Sequence, residues 1–248
     1  MRAVILAAGR GSRMSALTED QPKCLVELAH KPLVKRQIAA LRGGGVSTIG
    51  IVRGYLANKI NIEDVSYFEN PRWAETNMVM SLVAASDWLR SDSVVISYAD
   101  IFYGRDVVRS LAAAPGDLVV TYDRNWRSLW TRRFSDPLSD AETFRTDAGG
   151  NLIEIGRRAT RLEEVKGQYM GLLKFTPEAW RAVEAVLAAL DAKARDAMDM
   201  TTLLRALLDS GFPIQTVGIA GQWGEIDSAS DLELYEKMIR EGELCVES

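Results

Sequence analysis

At 248 residues, the chain is long enough for one large α/β domain, or one domain carrying an elaborated insert. Its 47% apolar and 26% charged content is ordinary for a soluble enzyme, and a net charge of −4 without a basic stripe argues against nucleic-acid binding. No apolar stretch reaches transmembrane length, Met1-Arg2-Ala3-Val4 lacks the architecture of a cleavable signal, and the single His30 excludes multi-histidine metal sites. Cys24 and Cys245 lie far apart without metal-ligand spacing, as expected of a reduced, cytoplasmic protein that does not meet a membrane.

A first strand, Ala3–Ala8, runs into the basic glycine turn Gly9-Arg10-Gly11-Ser12-Arg13-Met14. Gln21-Pro22-Lys23-Cys24-Leu25 follows shortly after. Glycines let backbone N–H groups close on a bulky anion, and Arg13 and Lys23 add charge from two directions. The pattern predicts a triphosphate cradle. It is not a Walker loop, which ends in Gly-Lys-Ser/Thr. Nor is it the dinucleotide fingerprint, because Met14 replaces the third glycine and Arg53 stands where an acid is expected. Pro32 opens a helix with Leu33, Ile38 and Leu41 inward, ended by Gly43-Gly44-Gly45. Thr48–Val52 is a second strand. Asn77 caps a helix predicted over Met78–Leu89 that buries Met78, Leu82, Val83 and Leu89, and Ser93–Tyr98 is a buried strand ending in Ala99-Asp100. Another helix and the strand Asp117–Tyr122 follow.

The organisation predicted is one nucleotide-enzyme domain in three stretches: an α/β part over 1–123, a β-rich excursion over 124–167 covering the site, and an α/β part over 168–248. The last holds a strand at Gln168–Phe175, helices at Pro177–Leu190 and Thr201–Asp209, a strand at Pro213–Ile219, and a closing helix at Leu232–Arg240.

Phosphoryl chemistry on a nucleotide calls for a divalent cation held by one or two carboxylates. Asp100 lies just past the carboxyl end of a strand, where open α/β sheets bind ligands. Asp227 sits in the turn Gly224-Glu225-Ile226-Asp227, where it could instead cap the closing helix, and Glu225 is a second acid beside it. Arg127, Arg132 and Arg133 offer charge for an acceptor phosphate, phosphonate or carboxylate. Trp126, Trp130, Tyr169 and Trp223 offer ring faces for a cationic amine. A phosphate monoester is largely dianionic near neutral pH, so such an acceptor needs no histidine base.

Leu6-Ala7-Ala8-Gly9-Arg10-Gly11-Ser12-Arg13 followed by Pro22-Lys23 resembles the signature of sugar-nucleotide pyrophosphorylases and phosphocholine cytidylyltransferases, in the nucleotide-diphospho-sugar transferase superfamily. The resemblance implies a GT-A-like, Rossmann-like α/β fold, with a mixed, mostly parallel sheet flanked by helices and a β-rich lid. It implies Mg²⁺ on Asp100 and Asp227, and a nucleotide against Leu6, Ala7, Ala8, Gly9, Gly11, Ser12, Arg13, Lys23, Gly54, Asn77, Ser81 and Ala99. Thr76-Asn77-Met78-Val79-Met80-Ser81-Leu82 is similar to a stretch near the base in the phosphocholine branch. Gly167–Gly171 and Asp136–Asp140 resemble stretches of the phosphonate branch. The expected reaction moves CMP from CTP to a small phosphorylated or phosphonylated acceptor with release of pyrophosphate, with Arg13 and Lys23 catalytic. Trp126, Trp130, Arg132, Arg133, Tyr169 and Trp223 would meet the acceptor. A sugar-1-phosphate nucleotidyltransferase using dTTP, UTP or GTP, a non-catalytic nucleotide-binding regulatory module, and a homo-oligomeric assembly remain open.

Overall fold

In a computed structural model, which describes residues 1–11, 14, 17–221 and 223–246, the alternation of strand β1 (Arg2–Ala7) sets the layers. Ala3, Ile5 and Ala7 enter one apolar cluster, while Val4 and Leu6, with Ala8 just beyond, enter another on the opposite face. β2 (Glu27–Leu28) and β3 (Lys31–Pro32) make a tight hairpin with Ala29 and the exposed His30 at positive φ. Pro32 precedes α1 (Leu33–Gly43), whose Val34, Ile38 and Leu41 are buried on the β1 side holding Ile5. β4 (Thr48–Arg53) and β5 (Ser66–Glu69) continue the sheet.

Asn77 caps α2 (Met78–Val83) through its own Oδ1, which accepts the Met78 N–H at 2.7 Å. The single helix predicted to Leu89 is broken: Ser86 donates its hydroxyl to the Val83 carbonyl, and α3 (Ser86–Ser91) starts afresh. Val79, Leu82 and Leu89 are buried, whereas Met78 and Val83 are only partly so. β6 (Val94–Tyr98), β7 (Ile101–Tyr103), α4 (Arg105–Ala113) and β8 (Leu118–Asp123) follow.

The excursion over 124–167 opens with a helix, α5 (Trp126–Arg133), not a strand. Trp126 and Trp130 lie one turn apart and both face inward, 4% and 0% exposed. Only then comes the antiparallel pair β9 (Glu142–Thr146) and β10 (Leu152–Arg158). The chain closes with β11 (Gln168–Phe175), α6 (Pro177–Ala188), α7 (Ala192–Ala197), α8 (Met200–Asp209), β12 (Gln215–Ile219), β13 (Trp223–Glu225) and α9 (Ala229–Arg240).

The main sheet has the order β12-β8-β11-β6-β1-β4-β5, parallel except for β11, which runs antiparallel to both neighbours. Buried residues of α1, α4 and α5 share one apolar cluster, and those of α2, α3, α6 and α8 share the other. The fold is thus the mixed, mostly parallel α/β architecture with helices on both faces. β1 pairs with β4 on one side and β6 on the other, so the connections diverge at its carboxyl end and open a crevice there. No helix among the described residues is long and apolar enough to cross a membrane.

Candidate active site

The crevice beyond β1 and β6 is a cavity of about 270 Å³. Leu6, Ala7, Ala8, Gly9, Gly11, Lys23, Asn77, Ser81, Ala99 and Asp100, all expected from the sequence, line it, together with Trp73, Thr76 and Tyr98. Gly11 has φ +68°, and a Cβ there would come within 2.9 Å of the Lys23 side chain. Gly54 is not part of the lining: it lets Trp73 pack on the end of β1, since a Cβ would stand 2.6 Å from Trp73 and 2.7 Å from the Ala8 carbonyl. Ser12 and Arg13 lie outside the described residues.

At the mouth, three acids meet one ammonium. Lys23 Nζ donates to Asp100 Oδ2 at 2.7 Å and also to Asp227 Oδ1. Burial alone would lower the Lys23 pKa, but Asp100 and Asp227 outweigh it and raise it. One oxygen from each of Asp100, Glu225 and Asp227 lies within 4.8 Å of the others. Burial, followed by the charges of Asp227 and Asp100, pushes the Glu225 carboxyl up to about 8 against the pull of Arg133 and Lys23. Asp227 is not the cap of α9: Ser228 fills that place in a capping box with Asp231.

The turns bearing these acids are held from behind. Gln37 on α1, 0% exposed, donates Nε2 to the carbonyls of Tyr98 at 2.7 Å and Ile101 at 2.6 Å, which bracket Asp100. β13 pairs with β7, placing Glu225 opposite Ile101, and the Ile226 N–H bonds the Asp100 carbonyl at 2.9 Å. Asp231 Oδ2 accepts the N–H groups of Asp227 and Ser228, each at 3.0 Å. Burial would raise the Asp231 pKa, but Arg133 and Ser228 hold it below the usual carboxylate range.

That network corrects the acceptor residues expected from the sequence. Arg133 has no exposed side chain and binds Asp231 at 2.8 Å and Glu225 at 3.3 Å, so it is a strut. Arg132 turns outward to Glu243. Trp126 and Trp130 are core: the Trp126 indole donates to the Val165 carbonyl, and Trp130 stacks on Trp223 at 6.1 Å. An amphipathic helix buries its rings where a loop would have shown them. Arg127 is exposed beside Arg132 in a separate groove.

Tyr169 and Trp223 do line a second cavity of about 290 Å³, which shares Met78 and Tyr98 with the first and reaches Glu225 and Asp227. Asp140, Glu142 and Asp199 complete its wall, and no lysine or arginine among the described residues lines it. Burial, then Asp199 and Asp140, raises the Glu142 pKa. Asp140 ends the stretch Asp136–Asp140 that resembles the phosphonate branch, whereas the sequence pointed to neither Glu142, the first residue of β9, nor Asp199, the N-cap of α8, which stand outside any motif.

Residues 3–206 match the MobA-like NTP transferase domain. The chain is 39% identical to CTP:phosphoglutamine cytidylyltransferase of Campylobacter jejuni, over 94% of this chain and 98% of that protein. It is 31% identical to 2-aminoethylphosphonate cytidylyltransferase of Lancefieldella rimae, over 62% of this chain and 60% of that one. The inositol-1-phosphate CTP transferase of T. maritima superposes with a TM-score of 0.73 at 20% identity, over 98% of each chain. A glycine turn, a lysine and clustered acids at the switch point of such a sheet place this chain in the MobA-like NTP transferase family, as a nucleotidyltransferase.

Proposed function

We propose that the chain transfers CMP from CTP to a small phosphorylated or phosphonylated acceptor that also carries an amine, releasing pyrophosphate. The observation that carries this reading is the junction of two cavities at one charge cluster. The first offers glycine amides and Lys23; beyond the cluster, the charged groups the second offers among the described residues are all acids, Asp140, Glu142 and Asp199, set beside the rings of Tyr98, Tyr169 and Trp223. Two relatives act, by name, on phosphoglutamine and 2-aminoethylphosphonate.

Asp100, Glu225 and Asp227 fit a hard divalent cation: they provide oxygen donors alone, and Asp100 Oδ1 is buried without a hydrogen-bond partner. Mg²⁺ held there would withdraw charge from the phosphoryl oxygens of the nucleotide. The remaining work falls to the chain. The Gly9–Gly11 backbone holds the triphosphate, and Lys23 neutralises charge passing to the leaving pyrophosphate. Tyr98 lies in both cavities, where it separates the two substrates. Asp140, Glu142 and Asp199 draw the acceptor amine away from the cluster and leave its anionic end facing the α-phosphorus. An acceptor oxygen then forms a P–O bond at that phosphorus as the α–β bridging bond breaks.

Pyrophosphate release, measured for CTP, UTP, dTTP and GTP against phosphoglutamine, 2-aminoethylphosphonate, phosphocholine and glucose 1-phosphate, tests the reading. Turnover should peak with CTP and an amine-bearing acceptor. A maximum with dTTP and glucose 1-phosphate would overturn it, and nucleotide binding without turnover would make the chain a regulatory module.

A further inference from the structure

Away from Lys23, a chain of hydrogen bonds gives one hydroxyl of the nucleotide cavity a fixed polarity. Asn70 is 6% exposed, and its Oδ1 accepts the backbone N–H of Arg72 at 3.0 Å. A backbone N–H only donates, so the amide oxygen must face it and Nδ2 must face the other way. Nδ2 gives its two protons to Thr76 Oγ1 and Ser81 Oγ, each at 3.0 Å. Thr76 gives its own proton to the Arg72 carbonyl at 2.8 Å. The Ser81 hydroxyl accepts from Asn70 and makes no other hydrogen bond among the described residues, so its proton is left for the cavity it lines.

The lining of that cavity falls into two groups. Gly9, Gly11, Lys23 and Asp100 suit the phosphates and their cation; Trp73, Thr76, Asn77 and Ser81, all uncharged, are left for the base. We propose that Asn70 sets the base preference by holding Ser81 as a hydrogen-bond donor. Cytosine presents N3 as an acceptor, whereas uracil and thymine present N3–H at the same place. The serine meets the first with a bond and the second with two opposed donors. To accept instead, it would have to turn its proton towards a side where no described residue receives it. A site with its polarity fixed this way discriminates by the cost of the mismatched pair.

The inference rests on the cytidylyltransferase reading, and binding of CTP and UTP with Mg²⁺, followed by calorimetry, separates the two. Wild-type protein should bind CTP more tightly. Asn70→Asp puts an acceptor where the amide donated, so Ser81 turns its proton to the carboxylate and the CTP:UTP affinity ratio should fall about tenfold. Ser81→Ala adds no buried charge, so it remains informative if Asn70→Asp fails to fold. It should weaken CTP binding and, with the opposed donor gone, leave UTP binding as tight or tighter. An unchanged ratio in Ser81→Ala, or equal binding of both nucleotides by the wild type, would overturn the role of Asn70 and Ser81 and leave the transferase reading standing. Binding of neither nucleotide would overturn both.

Discussion

Lys23 is the residue on which the site turns, because a single ammonium stands between Asp100 and Asp227 with about a tenth of its side chain exposed. Removing one partner of such a buried group leaves the others uncompensated, at a cost on the order of 3–5 kcal/mol. Lys23→Ala should therefore melt earlier in chelator, and Mg²⁺ should restore more of its melting temperature than it adds to the wild type. Turnover should fall about 100-fold or more, as when one preorganised donor to a developing charge is lost. Wild-type turnover in that variant would remove Lys23 from the chemistry. Lys23 and Gly11 could be read from the sequence because glycine and charge next to a strand end have few other uses. Asn70, Gln37 and Asp231 could not, since each acts on a turn formed by residues far along the chain.

Among elements, α5 and α9 work as a pair that fixes the Glu225–Asp227 turn from outside. Arg133→Met should lower the melting temperature and kcat while the acceptor KM stays near its wild-type value. Steady-state kinetics over a range of acceptor concentrations will show it. An arginine that held the acceptor would give the reverse: a raised KM and intact stability. The strands were the legible part of the fold, Gln168–Phe175 to the residue, because buried apolar runs between turn signals are distinctive. The excursion was not: Trp126, Trp130 and three arginines read as acceptor contacts on a β-rich excursion, yet the two tryptophans share one face of a helix and one arginine is buried in an ion pair. Helical spacing over eight residues is too short a signal to outweigh a composition typical of binding sites.

For the whole molecule, the acids that gather at the mouth make stability depend on pH. Without a bound cation, the folded protein holds the Glu225 proton up to about 8, against 4.5 for the free side chain. The native state therefore binds the proton more tightly, and this contribution is present at low pH and lost as pH rises through that window. Urea midpoints in chelator should decline across it, Glu225→Gln should flatten the decline, and a flat wild-type profile would contradict the carboxyl's environment.

The Lys23–Asp227 contact spans 204 positions of sequence, and the family match ends at residue 206, before two of the three acids of the cluster, Glu225 and Asp227. During synthesis, the glycine turn, its lysine and the strand-end aspartate emerge long before the carboxylates that complete them. A nascent chain halted after α8 would possess the glycine turn and Lys23 but only one of the three carboxylates of the cluster. Catalytic competence would thus wait for residues 225–227, so chains stalled on the ribosome before them should be silent even where they can already capture a triphosphate.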